Sequence, residues 1–322
     1  MTGPGQVTAR RTDLALAVAS SIPLTADVRQ LTLVARAGGR LPSYPPGASL
    51  GLRWRPGRVN SYSLTGDGDS PLAYRVSVLR VPGGNGGSAW AHALREGAAV
   101  EAIAPRSAFA PAARARRHLL VAGGIGITPL LSHARWHVRW GNEFALYYVD
   151  RPGRAPHLEE LRDLCGARLR VYAGRDELRA DLDRALAGQP LGTQLYVCGP
   201  LGMIDAVTAA ARALHWPDGR ISFEAFGAAD EGPRAPFRAS LTESGRRVEV
   251  SATETLLEAL EREGLHVPSM CRQGICGECR TPVRSGRVDH RDLVLSAAEK
   301  AGGQWVMPCV SRAADSELEL PL

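Results

Sequence analysis

The sequence predicts a multidomain chain with an antiparallel β-barrel, a doubly wound α/β domain and a small α+β domain in series. Three observations carry this. Short alternating segments separated by Gly/Pro turns come first, apolar strands alternating with helical patterns follow, and a hairpin, a helix and four cysteines end the chain. At 322 residues the chain is longer than one compact domain usually holds.

Between Thr12 and Phe109, Val28–Val34 and Tyr74–Leu79 alternate and Ala48–Trp54 is mostly apolar, with turn clusters at Tyr44–Gly47 and Thr65–Asp69. Such spacing predicts a small antiparallel barrel. His118–Ala122 is an apolar strand leading to a glycine turn and a helix from about Thr128, and Phe144–Val149, Arg168–Ala173 and Gln194–Cys198 read as further strands with helical patterns between them. That alternation makes a parallel sheet with crossovers. The polar, proline-broken stretch Gly227–Pro236 reads as a linker. A hairpin around Glu243–Arg246 and a helix at Thr255–Glu263 precede the cysteine loop. The expected domains are 10–113, 114–228 and 237–322, with 229–236 as linker.

The formal charge of +6 does not point to nucleic acid. Lys300 is the only lysine, the arginines are scattered, and the abundance of Arg, Ala, Gly and Pro is a compositional bias rather than a basic stripe. From Phe237 onward 11 basic and 13 acidic residues give net −2, leaving +8 for the rest. An acidic domain on a basic body would favour docking, and an ordinary surface mixture would give the same count. No apolar run approaches a membrane span, and Met1–Arg11 lacks the apolar core of a signal peptide. A cytoplasmic monomer that contacts neither membrane nor nucleic acid is the expectation.

Cys271, Cys276 and Cys279 stand in a C-x4-C-x2-C loop, with Cys309 thirty residues further on. This is the plant-type spacing for a [2Fe–2S] cluster. Gly274 and Gly277 allow positive φ, so that loop N–H groups can point at the sulfurs. Zinc sites usually pair close ligands twice, which this spacing does not do. A Rieske centre needs a Cys-x-His pair, which is missing, and chain length argues against a disulfide framework.

Gly123, Gly124 and Gly126 lie in the turn after the first α/β strand, where a ligand could approach the backbone and a helix N-terminus could meet a phosphate. Thr128 reads as its N-cap, with Pro129 in the first turn. Cys198, Gly199, Pro200 and Met203 follow a later strand at the edge where such sheets bind ligands. His133 and His137 read as a helix face without metal, Cys165 as a small buried hydrophobe, and Met270 and Met307 as cluster shielding. The Glu254–Glu263 run is a solvated face or a meeting place for a partner.

The Gly124–Pro129 and Cys198–Pro200 motifs, following a barrel with Tyr62–Leu64, resemble the ferredoxin–NADP reductase superfamily. With the C-terminal cysteine pattern the whole chain resembles the phthalate dioxygenase reductase family, including reductase subunits of vanillate demethylase. Gly86–Ser88, Phe223–Phe226, Asp289–Asp292 and Cys309–Arg312 are further pieces in the same order. The resemblance implies a flavin barrel, an NAD domain and a β-grasp-like ferredoxin domain. It places Asn60, Tyr62, Ser63 and Leu64 at the flavin, with Ser63 near N5, Ser77, Val78 and Leu79 along the ring, and Gly86, Gly87 and Ser88 at its phosphate. Phe226 would stack near the ring. Gly124, Ile125, Gly126, Thr128, Pro129, Gly199, Pro200 and Met203 would hold the nucleotide, with Cys198 at the nicotinamide.

A single-phosphate loop without an adenine site implies FMN rather than FAD. Asp150 would favour the NADH ribose over a 2′-phosphate, while Arg151 would favour NADPH. Two positions depart from the family: Asn60 replaces an arginine and Asn85 a basic residue, leaving Arg58, Arg80 or Arg53 to neutralise the phosphate. The implied enzyme is an NAD(P)H-dependent oxidoreductase that feeds a terminal oxygenase, either a Rieske non-haem iron oxygenase or a cytochrome P450. Alternatives are a stand-alone quinone or ferric reductase, or a redox sensor.

Overall fold

The structure, a computed structural model, describes residues 13–322 except 57, 85, 152, 227–234, 270, 271, 273, 275 and 276. Most of the expected linker, the cysteines Cys271 and Cys276, Met270 and Asn85 therefore lie outside the described residues.

Strands β1 (Asp13–Pro23), β2 (Val28–Ala35), β3 (Ser49–Arg55), β4 (Arg58–Ser63), β5 (Ala73–Leu79) and, after helix α1 (Gly87–Ala93), β6 (Ala99–Arg106) form one antiparallel sheet. Its order is β4-β3-β6-β1-β2-β5. Alternate residues turn inward, so Leu16, Leu31, Leu33, Leu50, Leu52, Tyr74 and Val76 fill the interior. The two end strands meet at one bridge, Leu64 to Val76, which curls the sheet into a barrel. Beyond that bridge β4 and β5 have no ladder to each other among the described residues. Where β4 and β5 do not pair the sheet is open, an interruption termed the slot, and α1 packs against β3 and β5.

The next part alternates strand and helix: β7 (Arg117–Gly123), α2 (Ile127–Arg139), β8 (Phe144–Val149), α3 (Leu158–Cys165), β9 (Leu169–Tyr172), α4 (Arg175–Ala187), β10 (Thr193–Cys198), α5 (Leu201–Ala213) and β11 (Ile221–Glu224). The sheet is parallel, in the order β11-β10-β7-β8-β9. Helices cover both faces, which is why β8 and β10 are buried at every residue. The order reverses direction at β7, so the carboxyl ends of β7 and β10 border the crevice that such sheets use for ligands. One expectation fails here. A 3₁₀ turn at Gly124–Gly126 runs straight into α2, Gly126 stands at the N-cap, and Thr128 Oγ1 donates to the Ile125 carbonyl (3.0 Å) instead of capping.

The C-terminal part holds β12 (Phe237–Leu241), β13 (Arg246–Val250), α6 (Leu256–Arg262), β14 (Thr281–Pro282), β15 (Val288–Asp289), α7 (Ala297–Gly302), β16 (Trp305–Val306), β17 (Arg312–Ala313) and β18 (Glu317–Leu320). An antiparallel hairpin, β12–β13, takes β18 in parallel on its other side, and α6 lies across the hairpin. Helix α6 starts where Thr255 and Glu258 make a reciprocal capping box. The barrel, the parallel sheet and this grasp of strands around one helix are the multidomain architecture expected.

Candidate functional site

The two turns at the carboxyl ends of β7 and β10 are packed into each other. A Cβ on Gly126 would lie 2.3 Å from the Cys198 carbonyl oxygen, and one on Gly123 would lie 2.7 Å from Met203 Sδ. Those two glycines are demanded by chain packing, so the expectation that all three clear space for a ligand is corrected. Gly124 alone has φ +54 and open space where its Cβ would be. Thr128, Pro129 and Met203 are buried beside the turn, and Ile125 is half-buried.

Cys198 is fully buried, and burial, followed by the charge of Glu224, pushes its thiol well above the ordinary range. It therefore stays a neutral thiol. Glu224 is opposite Cys198 in the β10–β11 register and was missed from the sequence, because only strand pairing reveals the proximity. Asp150 follows β8, accepting from the Arg151 amide at Oδ1 (2.7 Å) and lying 3.2 Å from the Tyr148 hydroxyl at Oδ2. The same hydroxyl is 3.4 Å from the Gly124 carbonyl and 3.2 Å from that of Pro156. Burial, then Asp150, raises the Tyr148 phenol far above its usual value, so it remains a donor.

On the barrel, Asn60 and Tyr62 share one face of β4. Asn60 Nδ2 donates to the Tyr62 hydroxyl (3.3 Å), and Asn60 Oδ1 accepts from Trp54 Nε1 (3.2 Å). A Cβ on Gly87 would sit 2.3 Å from Asn60 Nδ2, so α1 can come this close only with glycine there. Gly86 takes φ +96, and Ser88 Oγ accepts from the Val81 amide (3.1 Å). Asn60, Tyr62 and Gly86–Ser88 are thus brought together, although they were assigned from separate pieces of sequence. Leu64 and Val78 point into the barrel core and can offer a ligand only main-chain atoms. Leu79 and Phe226 are exposed, at 36 and 38%. Ser63 is 4% exposed, and its Oγ is buried with no hydrogen-bond partner among the described residues. A buried hydroxyl without a partner costs about 1–3 kcal/mol. A polar group bound in the slot between β4 and β5 would satisfy it, so the residues fit a flavin there.

Of the three arginines considered for the phosphate, Arg53 pairs with Asp13 (2.8 Å) and Arg58 with Glu258. Arg80 is exposed directly after β5, beside the Val81 amide that reaches Ser88.

In the C-terminal part Cys279 and Cys309 are both 3% exposed, with their sulfurs 3.3 Å apart. That is well beyond a disulfide of about 2.05 Å. Two sulfurs converging from a loop and a distant strand connection fit two ligands of one metal atom. Gly274 and Gly277 have φ +72 and +76, and a Cβ on Gly274 would lie 2.5 Å from Val310. Asp292 is buried under the loop, accepting at Oδ1 from the amides of Val294 (3.2 Å) and Leu295 (2.8 Å). The Leu293 amide holds the Gly274 carbonyl (2.9 Å), and Met307 is buried close by. His133 is packed between α2 and the sheet, its Nε2 2.8 Å from the Phe109 carbonyl, and His137 and Cys165 are buried in the same layer. The Glu254–Glu263 run is not simply solvated, since Glu258 meets Arg58 of the barrel and Glu261 meets Arg272.

A barrel closed by a single bridge, a dinucleotide-type crevice and a converging cysteine pair are the parts of an electron-transfer reductase with a C-terminal ferredoxin domain. Residues 98–221 match the dimethylamine monooxygenase subunit DmmA-like N-terminal domain, and residues 240–314 match the 2Fe-2S iron-sulfur cluster binding domain. The heme-dependent oxidative N-demethylase beta subunit of Ectopseudomonas mendocina is 40% identical, over 95% of this chain and 97% of that protein. The solved phthalate dioxygenase reductase, described as a modular structure for electron transfer from pyridine nucleotides to [2Fe-2S], superposes with a TM-score of 0.84 at 36% identity, covering 96% of this chain and 98% of that one. Full-length CYP116B46 from Tepidiphilus thermophilus matches with a TM-score of 0.72 at 34% identity, covering all of this chain and 44% of that one. The chain belongs to the phthalate dioxygenase reductase family. It is an oxidoreductase, the reductase component of an oxygenase system, and among the described residues no helix is long and apolar enough to cross a membrane.

Proposed function

We propose that this chain is an NADH-dependent reductase that holds FMN and a [2Fe–2S] cluster and supplies electrons to a terminal oxygenase carried on a separate protein. The observation that carries the reading is the seat of the cysteine loop. Glu278, between Cys276 and Cys279 in sequence, reaches Arg106 of the barrel (3.9 Å), so Glu278 at the end of the loop lies against the domain with the slot. Asn60, Tyr62, Ser63, Leu64, Ser77–Leu79 and Gly86–Ser88 would hold FMN, with Arg80 as the cation left for its phosphate and Phe226 near its ring. Cys271, Cys276, Cys279 and Cys309 would hold the cluster. Together those groups supply hydride acceptance from a nicotinamide and release of electrons one at a time.

The chain's own residues do the positioning. Gly124 admits a pyrophosphate to the turn before α2, with Ile125, Gly126, Gly199 and Pro200 around it. Asp150 accepts from ribose hydroxyls and repels a 2′-phosphate, which favours NADH, while Arg151 beside it pulls toward NADPH. Ser63 presents an otherwise unpaired hydroxyl to a ring nitrogen. Cys198, kept uncharged by burial, gives the nicotinamide a neutral neighbour.

Anaerobic addition of NADH should bleach the visible spectrum of the purified protein. Cys276→Ser should abolish electron delivery to a protein acceptor while sparing direct dye reduction. Protein-acceptor activity that survives this substitution would favour a stand-alone quinone or ferric reductase and refute the route through the cluster.

For the partner we propose a Rieske non-haem iron oxygenase, on the strength of the likeness to phthalate dioxygenase reductase. A haem-containing oxygenase is the second reading, favoured by the demethylase subunit at 40% identity and by the cytochrome P450 match. The absorption spectrum of the oxygenase that co-purifies from the native cell separates the two.

A further inference from the structure

Ser77 Oγ on β5 is buried, and it shares a 2.9 Å hydrogen bond with Nε2 of His157, which lies eighty residues away in the other domain. His157 precedes α3 with φ +62, a left-handed conformation that side-chain-bearing residues rarely adopt. Its ring is 2% exposed. Nδ1 lies 3.1 Å from Glu160 Oε2, and the other Glu160 oxygen pairs with Arg135, whose Nη1 donates to the barrel carbonyl of Thr65 (2.5 Å). Burial pushes the Glu160 carboxyl up, but the His157 hydrogen bond and the Arg135 charge outweigh it and hold it at about 2. Glu160 is thus an acceptor. Nδ1 therefore donates to it, and Nε2 on the other side of the ring meets the Ser77 hydroxyl.

The line continues into the nucleotide crevice. The residue before His157 is Pro156, whose carbonyl lies 3.2 Å from the Tyr148 hydroxyl, and that hydroxyl also touches Asp150 and the Gly124 carbonyl. Arg154 in the same loop pairs with Asp27, between β1 and β2. The loop after Asp150 is therefore tied to the crevice at one end and to the barrel at the other.

We propose that His157 is a positioning residue for hydride transfer, holding the nucleotide-binding turn in register with strand β5 of the flavin slot through Ser77. This rests on the functional reading above. Its effect is on the separation of the two reacting rings, where small displacements cost large factors in rate.

Anaerobic stopped-flow bleaching by saturating NADH, normalised to bound flavin, tests it. Ser77→Ala and His157→Phe should each slow the step about tenfold, and the double variant should be no slower than the worse single one. The dissociation constant for NADH should stay at the parent value, and His157→Gln should return to within about twofold of the parent rate. In flavin-free protein, ¹⁵N NMR of the His157 ring reads the bond directly, and Ser77→Ala should shift Nε2. Parent-like rates in Ser77→Ala and His157→Phe, strictly additive losses, or an unmoved Nε2 resonance would overturn the inference alone. No bleaching by NADH in the parent protein would sink the functional reading and this inference with it.

Discussion

The barrel has two neighbours and holds them differently. Against the nucleotide domain the seam is many-sided: Arg139 pairs with Asp67 and Asp69 (2.6 Å each), Arg135 donates to Thr65, and His157 is buried against Ser77. Against the ferredoxin domain the described ion pairs are Arg58 with Glu258 and Arg106 with Glu278, each an arginine of the barrel with a glutamate of the other domain. Arg106 and Glu278 are 39 and 45% exposed. The nucleotide seam has exposed ion pairs too, Arg139 with Asp67 and Asp69 among them. It adds the buried His157–Ser77 hydrogen bond, which fixes a geometry where exposed ion pairs are weak and screened by salt. Hydride transfer needs near-contact of two rings, while a single electron tolerates a looser approach, and the two seams differ in that sense.

The comparison breaks most severely at the nucleotide side. Gly126→Ala puts a methyl 2.3 Å from a backbone oxygen that cannot swing away, so it should cost ~2–3 kcal/mol and abolish NADH binding. Thermal melting and a nucleotide titration check it, and the cluster signal should persist. Acid should act next. Burial lowers the folded-state values of His133 to about 3 and His137 to about 2, and lowers His118 too, from an ordinary value near 6.5. Between those values the unfolded chain binds protons that the folded chain refuses. Stability is complete above about pH 6.5 and falls on acidification by up to ~1.4 kcal/mol per pH unit per histidine. Glu160, held at about 2, loses its contribution over the same descent, from about pH 4.5 downward. Denaturant titrations from pH 7 to 4.5 should therefore show the nucleotide domain failing first.

The smallest effect belongs to the other seam. Glu278→Arg should slow reduction of the cluster about threefold and leave flavin bleaching untouched, with Arg106→Glu in the same chain restoring part of the loss. Raising salt on the parent protein should mimic the single change. Equal sensitivity of both steps to salt would show that the seams do not differ.

What was legible in the sequence was whatever is local. Phe144–Val149 is a strand to the residue because six consecutive apolar positions have no other use between two helices. The helix expected at Thr255–Glu263 is α6, which the structure starts with a capping box at Thr255 and Glu258. The cysteine loop was legible from spacing alone, and Cys279 and Cys309 do converge. What escaped was non-local or steric. Thr128 looked like a cap because the 3₁₀ turn that pre-empts it has no sequence signature. Gly123 and Gly126 looked like ligand clearance because nothing in the chain announces that Cys198 and Met203 lie against them. His157 went unnoticed since its partner is on a strand of another domain.

The single bridge between Leu64 and Val76 has a consequence for handling the protein. Beyond it the edges of β4 and β5 have no ladder to each other among the described residues, and open strand edges recruit edges from other molecules. A flavin bound in the slot would be a plug as well as a cofactor. With the flavin seated there as proposed, its loss would uncover those edges, and flavin-depleted protein should aggregate faster than flavin-replete protein.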